Sequence, residues 1–489
     1  MRARFLLIAL DSADPDLLLQ WSADGTLPTL AALRSRGAYA RLAGPETVSA
    51  HGAWTSIWSG VSLSRHGRYL SRPLRAGSYD LVSADEACAA PPFWSELTAQ
   101  TIAILDAPDA RPVPGLRGRQ LLGWGSHPSP LVVRSEPESL APEIERLMGR
   151  RIASDETQGT RTRDRRVLGQ LLERVRCQGQ VARHLLDGCD GAVIGFGDLH
   201  AAGHRFWKYG PRAATPIRDA RLSRALQDVY VAVDNEIGEI IATLPAGVHV
   251  AVLSNHGIRE GYPTDELMQA FCHRLGYQVA FRRGPIAAGR EVLSRWTRIA
   301  ARLGWGHLSH RPDGLAGTDW DRTTVFAIPG LYTGFLRVNL HGREPRGIVD
   351  PADYRTLLDR VEADLRQVQV VDAATGEPAA ERITRTIDAF GGGIPERLPD
   401  LFVEWRLASS PRARHPRATL QARRLGATRT NLHSRTGIAF VAGPAIQARG
   451  DAGELSPTDL VALFRGLADA GPADPAQPAI RAFALKQPS

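Results

Sequence analysis

Cysteine is scarce in this sequence. Four cysteines stand in 489 residues, at positions 88, 177, 189 and 272, and no two of them have C-x-x-C spacing. This pattern argues against a disulfide framework and against a zinc knuckle, and it favours free thiols in a reducing compartment. Long apolar runs are missing as well, since no stretch approaches the roughly 18 uninterrupted apolar residues of a membrane span. We therefore expect a cytoplasmic protein without membrane contact.

The sequence also lacks a strong excess of either charge. Lys and Arg number 60 against 52 Asp and Glu, which leaves a formal net charge of +8. This excess is too small and too scattered to indicate nucleic-acid binding. It fits a small anionic substrate or a basic rim around a site. No apolar stripe stands out from the core patterns, so the oligomeric state is left open.

Three short apolar runs end in polar clusters. Phe5–Leu10 ends at Asp11, and although basic residues precede it, the run is too short for a secretory signal and has no small-x-small cleavage site. Residues 191–196 lead to Asp198, and residues 248–254 lead to Asn255 and His256. With helical periodicity between them, the runs predict an α/β fold in which parallel strands deliver these clusters to one edge of a sheet.

A hydroxyl-rich stretch, residues 46–67, predicts a buried helix with a polar first turn. Small hydroxyl residues before such a helix cap its free N–H groups, and they also place an oxygen nucleophile at the positive end of the helix dipole. Ser49 is the favoured nucleophile and Thr47 the reserve, with a simple helix cap as the alternative for both. His51 is a candidate base or metal ligand, unless it makes a structural hydrogen bond.

Metal-ligand residue types recur in four separated segments. A lone histidine near a strand end is usually structural, so each segment is weak evidence by itself. His200 and His204 are more suggestive, because i,i+4 spacing on a helix puts both imidazoles on one face. The joint pattern carries the prediction, and its members are Asp11, Asp198, His200, His204, His256 and His433.

The order of these motifs resembles the alkaline phosphatase superfamily, in particular its type I phosphodiesterase and nucleotide pyrophosphatase branch. The resemblance rests on an Asp closing the first strand, Trp-Thr-Ser-x-x-Ser-Gly followed by a His-Gly, a Gly-His, a Ser-x-His-Gly, and a last His before a Gly-Pro strand. It implies a three-layer α/β sandwich with a mostly parallel central sheet. It also implies a phosphoric ester hydrolase with two divalent metals, usually zinc, and a Thr or Ser nucleophile.

Several positions carry over from the resemblance and several depart from it. Asp11, His204, His256 and His433 match metal ligands of the family. His200 stands where the family has an Asp, and Asn255 replaces the Asp of Ser-Asp-His-Gly. The nucleophile position falls on Ala50, unless a one-residue insertion gives the role to Ser49.

Three arrangements of the metal site stay open. In the first, two metals bind with altered ligands, and Asp198 or His51 serves as a replacement ligand. In the second, one metal binds to His200, His204 and His433. In the third, no metal binds. Zinc is the expected ion, with manganese or iron as alternatives.

Two further residues are candidates for substrate binding. Asn255 is a candidate for orienting a phosphoryl oxygen. Arg435, in the basic run 406–435, has a guanidinium that suits phosphate or sulfate, although a solvated loop explains the run equally.

Three functions follow from these arrangements. The first is a metal-dependent hydrolase of phosphate esters. The second is a phosphoryl or sulfuryl transferase, or another metalloenzyme of a biosynthetic pathway, and the third is a non-catalytic binding protein. The predicted domains are a core at residues 1–261 and 319–475, an inserted helical cap or flanking segment at 262–318, and a loosely held tail at 476–489.

Overall fold

The computed structural model describes residues 4–87, 90–125, 133–149, 152, 159–213, 215–261, 267–281, 315, 317–330, 332–371, 377–406, 412–421, 431–468 and 478–483. Its strands are β1 Phe5–Leu10, β2 Gly37–Leu42, β3 Ile102–Leu105, β4 Gly118–Leu122, β5 Arg134–Glu136, β6 Gly191–Phe196, β7 His249–Ser254, β8 Ile258–Glu260, β9 Val325–Ile328, β10 Thr333–Val338, β11 Gln369–Val370, β12 Ala380–Arg385, β13 Leu401–Trp405, β14 Arg412–His415, β15 Ala418–Gln421, β16 Asn431–His433, β17 Gly437–Ala442 and β18 Gly450–Leu455. Its helices are α1 Pro15–Ala23, α2 Pro28–Arg36, α3 Ala50–Ser59, α4 Leu63–His66, α5 Ala84–Ala87, α6 Leu140–Met148, α7 Arg161–Leu185, α8 Asp198–Phe206, α9 Ala225–Ala242, α10 Leu267–Leu275, α11 Tyr354–Arg366, α12 Thr386–Ala389, α13 Leu460–Leu467 and α14 Pro478–Ala482. Within these ranges, none of the helices combines the length and apolarity needed to cross a bilayer.

The chain divides into two compact units. Unit 1 comprises residues 1–69, 88–260 and 427–489, and unit 2 comprises residues 70–87 and 261–426. The inserted cap predicted at 262–318 lies largely outside the described residues; its described part contains helix α10, and its role as a cap stays a prediction. Unit 2 also contains residues 319–426, which the sequence analysis assigned to the second part of the core.

Unit 1 is built on a nine-stranded sheet. Its strand order is β18-β2-β17-β7-β1-β6-β3-β4-β5. The central strands β7, β1, β6, β3 and β4 are parallel, and β17 and β5 run antiparallel to their neighbours. Because β1 lies in the middle, all of its residues are buried, as the continuous apolar run Phe5–Leu10 predicts.

Helices cover both faces of this sheet. Leu6 and Ile8 of β1 belong to one apolar core, which they share with α1, α2, α7, α8 and α9. Leu7 and Ala9 belong to a second core on the other face, with α3, α13 and α14. Side chains alternate across a strand, so this division of one strand between two cores confirms the predicted three-layer α/β sandwich.

Unit 2 has its own sheets and its own core. One sheet has four antiparallel strands in the order β12-β13-β10-β9, and a smaller one has the order β11-β14-β15. Apolar residues of α10 and α11, including Phe271 and Val361, pack in the same core as Leu336 and Val403 of the larger sheet. Unit 2 therefore buries its apolar residues without using the nine-stranded sheet.

Candidate metal centre

Three loops of unit 1 leave the same edge of the sheet. Leu10, the last residue of β1, pairs in register with Phe196 at the end of β6 and with Ser254 at the end of β7. The residues that follow these strand ends are therefore neighbours, and they include Asp11 and Asn255. Parallel sheets build sites at this edge because the strands deliver their polar loop residues there together.

Helix α8 carries two of the predicted histidines. It begins at Asp198, directly after β6, and places His200 and His204 one turn apart. Their ring centroids lie 4.7 Å apart, which confirms that the i,i+4 spacing puts both imidazoles on one face. Both side chains are buried.

His433 reaches the same place from a distant part of the chain. It ends β16, which pairs antiparallel with β8 so that His433 lies opposite Ile258. The Nε2 atom of His433 is 3.0 Å from Nε2 of His204 and 3.3 Å from Nε2 of His200. We call His200, His204 and His433 the histidine triad.

Hydrogen-bond partners at Nδ1 determine which ring nitrogen of the two α8 histidines can bind a metal. Nδ1 of His200 lies 2.9 Å from a carboxylate oxygen of Asp11, and Nδ1 of His204 lies 2.5 Å from the amide oxygen of Asn431. The Asn431 amide nitrogen donates to the Gly203 carbonyl at 2.7 Å, which fixes the direction of that amide. Since a carboxylate and an amide oxygen only accept, each Nδ1 carries a proton, which leaves Nε2 as the nitrogen able to bind a metal.

The histidine triad fits a divalent cation. Burial, and then the neighbouring histidines, lower the pKa of His433 well below its ordinary value, so this ring is neutral. The Nε2 atom of His433 faces both α8 histidines at 3.0 and 3.3 Å, so it either donates a proton to one of them or shares a cation with both. Three buried imidazoles, two of them oriented at Nδ1 by a carboxylate and an amide, are a donor set that proteins use to hold a divalent metal. In the part of the chain that the structure describes, the triad is the group of such residues close enough to share an ion.

His256 lies beside the triad but is not a member of it. Its ring stacks on that of His433 with centroids 4.2 Å apart and planes 24° apart. Its Nδ1 atom is 3.2 Å from the Gly257 carbonyl, and burial lowers its pKa to about 4.

Asp11 and Asn255 are both held by hydrogen bonds to other parts of unit 1. The second carboxylate oxygen of Asp11 accepts from Nε1 of Trp54 at 3.1 Å, while the first contacts His200. The side-chain oxygen of Asn255 accepts from the backbone N–H of Ser12 at 3.2 Å. Both side chains therefore reach the predicted edge of the sheet, but not as members of the triad.

Asp198 does not join the triad, and one oxygen of its carboxylate pairs with Arg174. Nε of Arg174 lies 2.7 Å from it, and neither side chain has appreciable exposure. The remaining Arg174 nitrogens donate to the backbone carbonyls of Gly125 and Ile152. Asp198 thus anchors the start of α8 to α7, which carries Arg174.

The candidate nucleophile begins helix α3 as predicted. Ser49 is its N-cap residue and is buried, but its hydroxyl donates to the Tyr69 carbonyl at 2.5 Å instead of capping the helix. The reserve residue, Thr47, donates its hydroxyl proton to the Gly44 carbonyl at 2.9 Å. His51 is close enough for its charge to lower the pKa values of His256 and His433.

Arg435 connects the loop after β16 to the turn before α3. Its Nε donates to the Thr47 carbonyl at 3.3 Å. Three other arginines of the basic run, Arg412, Arg414 and Arg417, lie in unit 2. Arg423, Arg424 and Arg429 are outside the described residues.

Comparison with known proteins identifies the family of this chain. The family model of the type I phosphodiesterases and nucleotide pyrophosphatases matches residues 5–404. This chain belongs to that family. Its members hydrolyse phosphoric esters, so the chain is a hydrolase of this class. Comparison of the sequence with curated proteins gives no match.

Solved structures of similar fold cover nearly the whole chain. Phosphonoacetate hydrolase from Sinorhizobium meliloti 1021, in complex with phosphonoacetate, has 13% sequence identity and a TM-score of 0.55, covering 96% of each chain. Murine ectonucleotide pyrophosphatase/phosphodiesterase 5, in complex with AMP, has 10% identity and a TM-score of 0.47, covering 96% of this chain and 97% of that one. At these identities the first similarity shows the alkaline-phosphatase-like fold.

Two residues around the triad were missed from the sequence. Asn431 stands two positions before His433, so on a strand both side chains lie on one face, and this spacing was an available signal. Arg174 is one of many arginines on α7, and nothing in the sequence distinguishes it from its exposed neighbours.

Proposed function

We propose that this family member is a metal-dependent hydrolase of phosphate esters whose divalent cation is held by His200, His204 and His433. The observation that carries the proposal is the convergence of three Nε2 atoms, with Asp11 and Asn431 keeping the protons on the Nδ1 atoms of the α8 histidines. A divalent ion bound there would polarise a phosphoryl oxygen and offset the charge of the transition state. Zinc is the ion that this donor set suits best.

The proposal assigns attack on phosphorus to the Ser49 hydroxyl, which would displace the ester's alcohol and leave a phosphoserine that water then hydrolyses. Support comes from its position at the start of α3, where the helix dipole stabilises a developing negative charge. Its hydroxyl has to leave the Tyr69 carbonyl before it attacks, and His51, two residues later, is the proposed proton acceptor. Thr47 remains the reserve.

The proposed substrate is a small anionic ester. Asn255 is assigned to orient a phosphoryl oxygen through its amide nitrogen, since its amide oxygen accepts from Ser12. Arg435, whose guanidinium donates to the Thr47 carbonyl beside the α3 turn, is assigned to the negatively charged group.

The test compares metal content and turnover in three proteins. Wild type, His204→Ala and His341→Ala are purified without chelator, and metal is measured by mass spectrometry; His341 is an exposed histidine of unit 2 and serves as the control. Each is assayed with p-nitrophenyl phosphate, bis-p-nitrophenyl phosphate and p-nitrophenyl sulfate, with and without an alcohol acceptor. We expect His204→Ala to lose both metal and turnover and His341→Ala to keep both. A His204→Ala protein that keeps full metal and turnover would overturn the proposal, and product formed only on the alcohol would replace hydrolysis by transfer.

A further inference from the structure

The residues beside the triad match the family's second metal position poorly. That position would draw on Asp11, Asn255 and His256, which occupy ligand positions of the family but lie outside the triad. Asn255 is a neutral amide, and its oxygen, the atom able to bind a cation, accepts the Ser12 N–H at 3.2 Å. A ligand set that has lost one carboxylate and directs the replacement oxygen to the backbone is weak for a divalent ion.

The two carboxylate oxygens of Asp11 contact a triad histidine and helix α3. One oxygen contacts Nδ1 of His200 at 2.9 Å and the other accepts from Trp54 Nε1 at 3.1 Å. A carboxylate that receives the N–H of a metal-binding histidine fixes the tautomer and ring orientation, and it raises the basicity of that ring. This contact places Asp11 in the outer shell of the triad's ion.

The charge of the site gives an independent argument. Two divalent cations would bring four positive charges among the triad, Asp11, Asn255 and His256, and of these six side chains only Asp11 is anionic. Asp198 does not make up the deficit, because it is already neutralised by Arg174 at 2.7 Å. Uncompensated charge in a buried site is costly, so one divalent ion is accommodated far better than two.

We infer that this centre holds a single divalent cation, and that Asn255 is the substitution that removes the second one, with Asp11 acting as a positioning residue for His200. The inference rests on the proposed function, since it assumes that the triad binds metal. It departs from the two-metal arrangement implied by the family resemblance.

Zinc stoichiometry tests the inference without reference to activity. Metal-free protein is titrated with zinc sulfate by calorimetry, and the ion content after desalting is measured by mass spectrometry. We expect one zinc per chain in wild type. Two zinc ions per chain would overturn the single-ion inference and leave the proposed metal-dependent hydrolase standing. No bound zinc would overturn both, so the two failures are distinguishable.

Asn255→Asp tests whether this amide is the cause. We expect a second zinc to bind to the variant, because the added carboxylate restores a charged ligand beside Asp11 and His256. The matched control is Asn235→Asp, which adds the same charge at an exposed position of α9 and should keep one zinc. The role given to Asn255 is contradicted if the control binds a second zinc. It is also contradicted if a folded Asn255→Asp protein binds only one zinc.

Asp11→Asn separates an outer-shell residue from a ligand of a second ion. If Asp11 positions His200, its replacement should lower zinc affinity by about 10- to 100-fold. The stoichiometry at saturation should stay at one zinc per chain. Loss of one of two zinc ions, or unchanged affinity in a protein with wild-type circular dichroism, would show that Asp11 does not position His200 for a single ion.

Discussion

Two hydrogen-bond acceptors determine which nitrogen each histidine of α8 presents. The Asp11 carboxylate contacts Nδ1 of His200, and the Asn431 amide oxygen contacts Nδ1 of His204. Without these partners either ring nitrogen would carry the proton, and the Nε2 atoms would not offer lone pairs together. The proposed chemistry at residue scale therefore depends on outer contacts as much as on the imidazoles.

Ser49→Ala is the residue-scale test of the nucleophile. We expect turnover of phosphate esters to fall by at least about 100-fold, because the attacking oxygen is removed, while zinc content is unchanged, because Ser49 is not a member of the triad. Thr47→Val is made in parallel and should retain most of the turnover. Full activity in Ser49→Ala with a loss in Thr47→Val would transfer the role to the reserve residue.

His66 is a buried histidine that is not a member of the triad, and it makes stability depend on pH. Its Nδ1 accepts the backbone N–H of Arg68 at 3.0 Å, so its Nε2 carries the proton and donates to Ser56 Oγ at 2.9 Å. Burial, helped by the Arg68 charge, lowers its pKa from 6.5 to about 3. Between these two pH values the unfolded chain binds a proton that the folded chain does not, so this contribution to the free energy of unfolding falls as pH falls.

The His66→Asn variant tests this pH dependence. Its unfolding free energy in metal-free buffer should decline less steeply than that of wild type below pH 6.5, by up to about 1.4 kcal/mol per pH unit. Urea unfolding curves at several pH values measure the slope, and His341→Ala, at an exposed position, should keep the wild-type slope. Equal slopes in wild type and His66→Asn would mean that His66 titrates alike in the folded and unfolded chains.

Helix α8 is the element that assembles the site, and it is fixed at two points. At its start, Asp198 is ion-paired with Arg174 of α7. Further along, α8 approaches β8 closely at Gly203, where an added Cβ would lie 2.8 Å from Cγ1 of Ile258. The Gly203 carbonyl also accepts from Asn431 of β16, so the helix and the strand that carries His433 are joined directly.

Arg174→Met tests the anchoring of α8. It leaves the Asp198 carboxylate buried without its ion-pair partner, which should cost about 3–5 kcal/mol of the free energy of unfolding and weaken zinc binding. Arg174→Met combined with Asp198→Leu should recover most of the stability. Arg176→Met, on the same helix but at an exposed pair with Glu173, is the control and should change little. Equal effects of Arg174→Met and Arg176→Met in denaturant unfolding would refute the anchoring.

At the scale of the whole molecule, the site connects distant parts of unit 1. The triad takes two histidines from α8, which directly follows β6, and the third from β16, which lies beyond the sequence of unit 2. A cation bound to all three would link these segments in the folded state and would have no equivalent site in the unfolded chain. Binding free energy would then appear as stability.

Chelation should therefore lower the thermal midpoint of wild type. Zinc at about 100 times its dissociation constant adds roughly 2.7 kcal/mol to the free energy of unfolding by mass action. Calorimetric scans with zinc and with EDTA measure the difference, and His204→Ala should show none. A midpoint that is insensitive to EDTA in zinc-loaded wild type would mean that the ion does not stabilise the fold.

The sequence by itself determined the three-layer architecture, and it named the three histidines among six candidate metal ligands. Apolar runs such as Phe5–Leu10 predicted buried parallel strands. A strand covered on both faces needs apolar side chains at successive positions, and this pattern is visible in the local sequence. The four-residue spacing of His200 and His204 predicted one helical face for the same reason. His433 joined them through the order of motifs in the family resemblance; the family match, over residues 5–404, confirms the family and ends before His433.

Only the tertiary structure decided how these residues are used. In the folded chain Asp198 pairs with Arg174, and Asn431 contacts His204. Asp11 contacts His200 and Trp54. Each contact joins residues on different elements, so it depends on the register of strands and the packing of helices and not on local spacing. A charged residue near a site is therefore predictable from sequence, but whether it binds an ion, orients a ligand or neutralises another charge is fixed by the partner that the fold places beside it.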